Sequence, residues 1–171
     1  MRIFLVGFMG SGKSYTGRRL AELVGLPFID LDDEIVRHAG SSIRKIFARH
    51  GERHFREIER SVLKELLALP GYVMATGGGT PCYADAIALL NASGVTVFID
   101  PDVDILLERL ERGRKHRPLL QTPVALRTFV TDKLTERRPC YEKATYHIKI
   151  DDPQAEVARL IRDLLPYEPY S

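Results

Sequence analysis

Several short stretches of this chain carry the groups that phosphate chemistry needs. GFMGSGKS, Gly7 to Ser14, fits the pattern G-x-x-x-x-G-K-[ST] and lies between an apolar run and a helical one. Its glycines, Gly10 and Gly12 among them, let the backbone curl. The N–H groups from Gly10 and Ser11 through Tyr15 then point at phosphate oxygens, and a following helix adds positive potential. Lys13 is placed to reach the β- and γ-phosphates, and the Ser14 hydroxyl to ligate Mg²⁺. A glycine-rich turn with an exposed lysine would show the same letters without the strand before and the helix after. That context makes this a nucleotide-phosphate-binding loop.

FIDLDDE, Phe28 to Glu34, sets Asp30, Asp32, Asp33 and Glu34 directly after an apolar run. Carboxylates crowded at a buried strand end repel one another and are costly to desolvate. A Mg²⁺–nucleotide complex is a cation that offsets them. Read as one strand, the stretch projects Asp30 and Asp32 to the same side, at the end facing the phosphate loop. Asp33 and Glu34 suit the first turn of a helix. Asp30 is the favoured metal partner; Asp100, closing VTVFID, is the alternative, or else a turn residue before Pro101. Asp32 is then free to accept a hydrogen bond from an incoming hydroxyl. Because phosphoryl transfer is largely dissociative, its task is orientation more than deep proton abstraction.

Several cations look for anionic partners. Arg56 lies off the apolar face of a long helical stretch with Glu59 one turn later. The pair is either a surface ion pair or a guanidinium held by Glu59 to grip a carboxylate. Arg137 or Arg138 in ERRPCY, at a helix end before Pro139, could do likewise, or simply supply a cationic last turn. TGGG, Thr76 to Gly79, follows a strand, and Gly77, Gly78 and Gly79 admit a ligand close to the backbone. ERGRKHRPLL, Glu111 to Leu120, holds four cations and His116. One arginine closing from it over the transferring phosphoryl would neutralise developing charge; His116 is given no role.

The elements that must position these groups alternate. Strands are predicted at Ile3–Val6, Pro27–Leu31, Tyr72–Thr76, Val95–Ile99 and His147–Ile150. Helices are predicted at Lys13–Val24, from the acidic cluster to Gly40, Ile43–His50, Glu52–Leu69, Ala84–Asn91, Val103–Leu110, Val124–Glu136 and Gln154–Leu165. This is an α/β pattern with a mainly parallel sheet. Arg112–Pro123 breaks periodicity and reads as a loop. At 171 residues the chain is expected to be one domain, residues 1–171. A net charge of +2 is too small to argue for a nucleic-acid surface on its own, and no nucleic-acid partner is expected. Cys82 and Cys140 show no metal-ligand or redox-pair spacing and read as free thiols in a reducing compartment. No apolar stretch is long enough to span a membrane, and MRIFLVGF is too short for a signal peptide. A cytoplasmic monomer is expected.

GFMGSGKS, FIDLD, FREIE (Phe55–Glu59), TGGG, RPLL (Arg117–Leu120) and RRPCY (Arg137–Tyr141), in this order, resemble the shikimate kinases over essentially the whole chain. The resemblance implies ATP-dependent phosphorylation of the shikimate 3-hydroxyl. It implies a three-layer α/β/α P-loop NTPase fold with a five-stranded parallel sheet, a substrate-binding segment at about 32–60 and a lid at about 111–124. Asp32, Arg56, Gly77, Gly78, Gly79 and Arg137 would bind shikimate, the two arginines on its carboxylate. Lys13 and Arg117 would stabilise the transferring phosphoryl; Ser14 and, through water, Asp30 would serve Mg²⁺. Arg112 would stack on adenine, with Pro153 or Gln154 in IDDPQ beside the base. Tyr15 departs from the family's small hydroxyl residue but keeps its backbone N–H. Other readings are a kinase for another small acceptor, such as gluconate or a nucleoside monophosphate, and a nucleotide-binding switch. The chain has no N-K-x-D guanine-reading motif.

Overall fold

The computed structural model describes residues 1–113 and 123–166. In chain order it has β1 (Arg2–Val6), α1 (Lys13–Val24), β2 (Phe28–Asp30), α2 (Leu31–Ala39), α3 (Ile43–Leu67) and β3 (Tyr72–Ala75). A 3₁₀ turn, Thr80–Cys82, precedes α4 (Ala86–Ser93), β4 (Val95–Pro101) and α5 (Val103–Arg112). Then follow α6 (Pro123–Tyr141), β5 (Tyr146–Ile150) and α7 (Val157–Leu164). The sheet has five strands in the order β2-β3-β1-β4-β5, every pairing parallel.

Strand residues divide by parity between two apolar layers, as the two-residue pleat requires. Phe4, Val6, Tyr72, Met74 and Phe98 pack with the buried face of α3, with α4 and with α6. Ile3, Leu5, Val73, Val97, Ile99, Ile148 and Ile150 pack with α1 and α7. Burial on both faces explains why β1 reads as an unbroken apolar run rather than an alternation. β1 sits where the chain order reverses, between β3 and β4, and a doubly wound sheet opens its crevice at the carboxyl end of such a strand. Leu5 is in register with Ala75, and Ala75 with Asp30. The phosphate loop, the glycine segment and the acidic cluster therefore leave the sheet at one end.

Three boundaries depart from the sequence reading, while the break at Gly51 agrees with it. β2 stops at Asp30, whose carboxylate caps α2 by accepting from the Asp32 N–H at 3.1 Å. Asp32 is thus in the first turn of a helix, not on the strand beside Asp30; a capping aspartate followed by a buried Leu31 outweighs the strand pattern. Gly51 (φ +77°) breaks α3 between the two helices expected there. α6 continues through Pro139 to Tyr141 instead of ending at Glu136, because its last turn is anchored by side chains described below. α7 starts at Val157, leaving Pro153–Glu156 irregular.

Candidate active site

The phosphate loop closes around its own lysine. Lys13 Nζ donates to the carbonyls of Gly7 at 2.7 Å and Phe8 at 2.9 Å. Burial pulls its pKa down to about 8, against the opposing attraction of Asp32 and Asp30. Gly7 has no replacement: its φ is +143°, and a Cβ there would lie 2.6 Å from the Ile99 carbonyl oxygen. Ser11 Oγ is buried without a hydrogen-bond partner, which suits a ligand oxygen. Ser14 Oγ donates to Asp30 Oδ2 at 2.6 Å. These paired hard oxygens fit Mg²⁺, which takes few protein ligands and keeps water and phosphate for the rest. Among the described residues, no larger His/Cys/Asp/Glu cluster could hold a metal.

The glycine segment is the platform on which the acceptor residues meet. A Cβ on Gly77 would lie 3.1 Å from Asp32 Oδ1; one on Gly78 would lie 3.4 Å from Arg137 Nη1. One on Gly79 would overlap the Arg56 guanidinium. A side chain at Gly79 would collide with Arg56 and one at Gly77 would crowd Thr80 and Asp32, whereas at Gly78 it would make ordinary van der Waals contact with Arg137. Arg56 and Arg137 line one hollow of about 430 Å³, with Gly79, Glu52 and Tyr83. Arg56 is buried and donates Nη1 to the equally buried Glu59 at 2.7 Å. Glu59 also accepts from Thr80 Oγ1 at 2.5 Å. Arg56 Nε is buried with no hydrogen-bond partner, an orphaned charged donor beside an open hollow. Glu59 is thus a buried anchor and not half of a surface pair.

Asp32 is the other perturbed group. Burial first, then repulsion from Asp30 and Glu59, raises its pKa from 3.8 to about 6, despite Lys13.

Arg137 and Arg138 have separate fates. Arg138 makes a two-pronged ion pair with Asp100, at 2.8 and 2.9 Å, and His147 Nε2 lies 2.7 Å from the same carboxylate. Asp100 is therefore engaged by Arg138 and His147, whereas the Ser14 hydroxyl pairs with Asp30. Arg137 faces the glycines instead, 5.9 Å from the Phe8 ring centroid. The last turn of α6 is fixed by that Arg138 pair and by Tyr141, which is buried and donates its hydroxyl to the Gly78 carbonyl at 2.6 Å. Tyr141 had no role in the sequence reading, although it closes the quoted RRPCY motif.

A second hollow, of about 360 Å³, is bounded by Gly12, Tyr15, Arg109, Pro153, Gln154 and Val157, among others. Arg109 Nη1 donates to the carbonyls of Gly10 and Ser11. Arg112, the residue expected beside adenine, is exposed and pairs with Glu108 on its own helix. α5 turns Arg109 inward and Arg112 outward, and spacing from RPLL did not reveal that phase. Both Pro153 and Gln154 line the hollow. Arg117, with most of the expected lid, lies outside the described residues, as does His116.

The shikimate kinase family model matches residues 9–166. A shikimate kinase of Parabacteroides distasonis is 44% identical over 146 residues, covering 84% of each chain. One of Aquifex aeolicus is 40% identical over 161 residues, covering 94% of each. The crystal structure of shikimate kinase from Bacteroides thetaiotaomicron superposes with a TM-score of 0.89 at 36% identity, over 96% of this chain and 98% of that one. Shikimate kinase from Acinetobacter baumannii in complex with shikimate gives 0.85 at 40% identity, over 95% and 91%. With a phosphate loop and a two-arginine hollow opening at the same end of this sheet, the chain belongs to the shikimate kinase family.

Proposed function

We propose that this protein transfers the γ-phosphoryl of ATP to the 3-hydroxyl of shikimate, giving shikimate 3-phosphate and ADP. The observation that carries this reading is the orphaned Nε of buried Arg56, in one hollow with Arg137. A small carboxylic acid reaching this hollow meets two guanidiniums, Arg56 already paired with Glu59 and Glu52, and a planar fork donates two hydrogen bonds to it. Glu59 holds Arg56 in that pose while Tyr141 holds Gly78, the residue facing Arg137.

With the carboxylate so gripped, Asp32 on the near side of Gly77 orients the acceptor hydroxyl toward the phosphate loop. Lys13 exchanges its two loop carbonyls for phosphate oxygens and moves its charge onto the transferring group. Arg117 joins it from the segment 111–124, by resemblance to the family. Backbone N–H groups from Gly10 to Tyr15 hold the remaining phosphate oxygens, and the hollow beside Arg109, Pro153 and Gln154 takes the base. Ser14 and Asp30 would hold Mg²⁺, which when bound neutralises phosphate charge. The segment 32–60 supplies Asp32, Arg56 and Glu59, and one chain furnishes both hollows. No described helix is long and apolar enough to cross a membrane. The reading is of a cytoplasmic monomer with MgATP as co-substrate.

Coupled-enzyme detection of ADP with MgATP and shikimate, each omitted in turn, tests it. Release that requires both is expected. A panel with gluconate and nucleoside monophosphates ranks acceptors by kcat/KM. A higher value for gluconate would reassign the hollow to another acid, and no acceptor-dependent release would end the proposal.

A further inference from the structure

The fold brings together two thiols that are far apart in sequence. Cys82 ends the 3₁₀ turn immediately after the glycine segment, and Cys140 lies in the last turn of α6, just beyond Arg137. Both line the hollow that holds Arg56 and Arg137. Cys82 Sγ donates to the Arg137 carbonyl oxygen at 3.8 Å, three residues before Cys140, and the two thiols perturb one another. Cys82 is exposed and Cys140 half-buried, so small reagents reach them through the hollow's mouth. Neither is an inert core cysteine.

We propose that Cys82 and Cys140 form a reversible disulfide at the rim of the acceptor hollow, when a low-molecular-weight disulfide such as oxidised glutathione is the oxidant. Cys140 is the first nucleophile. The adjoining Cys82 thiol pulls its pKa down, and the cations of Lys143 and Arg137 add to this, while Cys140 and burial push Cys82 up. The Cys140 thiolate attacks one sulfur of the oxidant, and the first thiolate leaves. Cys82 then loses its proton and attacks the Cys140 sulfur of the mixed disulfide, expelling the second thiolate. Two protein thiols are oxidised to one disulfide, and one small disulfide is reduced to two thiols.

The consequence for turnover rests on the acceptor reading given above. The new bond ties the end of the glycine segment to the turn carrying Arg137. It also removes the S–H that reaches the Arg137 carbonyl. Both groups that hold the acceptor carboxylate flank this link, and a displacement of about 1 Å in a positioning group can cost on the order of 10²-fold in rate.

The full-length protein, reduced and then treated with oxidised glutathione, is analysed by intact mass, peptide mapping and steady-state kinetics. Loss of two hydrogen atoms, a peptide pair linking Cys82 to Cys140, and a rise in acceptor KM of about tenfold or more, reversed by dithiothreitol, are expected. The double variant Cys82→Ser, Cys140→Ser, compared with its own untreated rate, should be unaffected by the oxidant. Glutathione retained on either thiol without a linking peptide overturns the pairing. A linked peptide with unchanged acceptor KM overturns the effect on the hollow. If untreated protein fails to phosphorylate shikimate, that failure belongs to the functional reading, since the peptide map still decides the pairing.

Discussion

Replacing Asp32 by asparagine should make the apo protein more stable and the enzyme nearly inactive. The pKa of Asp32 rises from 3.8 to about 6 because burial and two neighbouring carboxylates disfavour its charge. A group that binds its proton more tightly in the folded state loses stability as pH climbs from the lower value to the higher. The full gap corresponds to about 3 kcal/mol at 1.36 kcal/mol per pKa unit. Solvent still reaches the carboxylate, which screens part of this and leaves an expected gain of about 1–2 kcal/mol for Asp32→Asn at pH 7. Urea denaturation in EDTA, without nucleotide, measures it at several pH values between 4 and 7.5. The variant's advantage should be present above about pH 6 and should shrink toward zero near pH 4. In the complete assay, kcat should fall by ~10²-fold or more with MgATP affinity nearly unchanged. A variant no more stable than the parent at pH 7, or an advantage independent of pH, would refute the claim that Asp32 is held under electrostatic stress. Near-normal turnover would remove it from the chemistry.

Arg137→Ala should raise the acceptor KM by the equivalent of about 2–3 kcal/mol, the value of a lost charge-assisted hydrogen-bonded clamp; an unchanged KM would move the clamp elsewhere. Tyr141→Phe removes only the hydroxyl that holds the Gly78 carbonyl, so acceptor KM should rise several-fold, about 1 kcal/mol, while MgATP KM stays constant. Glu59→Ala leaves the buried Arg56 only its longer, 3.4 Å contact to exposed Glu52 and should cost about 3 kcal/mol of stability in denaturant titration; a loss below 1 kcal/mol would show that Glu52 or water takes over the pairing. Arg109→Ala should raise MgATP KM and Arg112→Ala should not; the reverse result would restore Arg112 beside the base.

Gly7–Ser14 could be read from its letters because loop conformation, phosphate donors and helix start all follow from neighbouring residues. The alternation of strands and helices was similarly plain, and even Gly51 fell between two expected helices. Asp32 was misplaced onto a strand because period-two spacing and a capping aspartate predict different geometry from the same stretch, and the packing of Leu31 settled it. Arg137 and Arg138 are adjacent in ERRPCY and equally charged. Only the register of β4 and β5 brings Asp100 and His147 to Arg138 and leaves Arg137 for the glycines. The same holds for Arg109 over Arg112, for Tyr141 on Gly78, and for two cysteines with no meaningful spacing that share one hollow. Short-range chemistry is written in consecutive residues, because it depends on backbone torsions and nearest neighbours. Which distant side chains touch depends on strand order and helix phase, which the whole core sets at once.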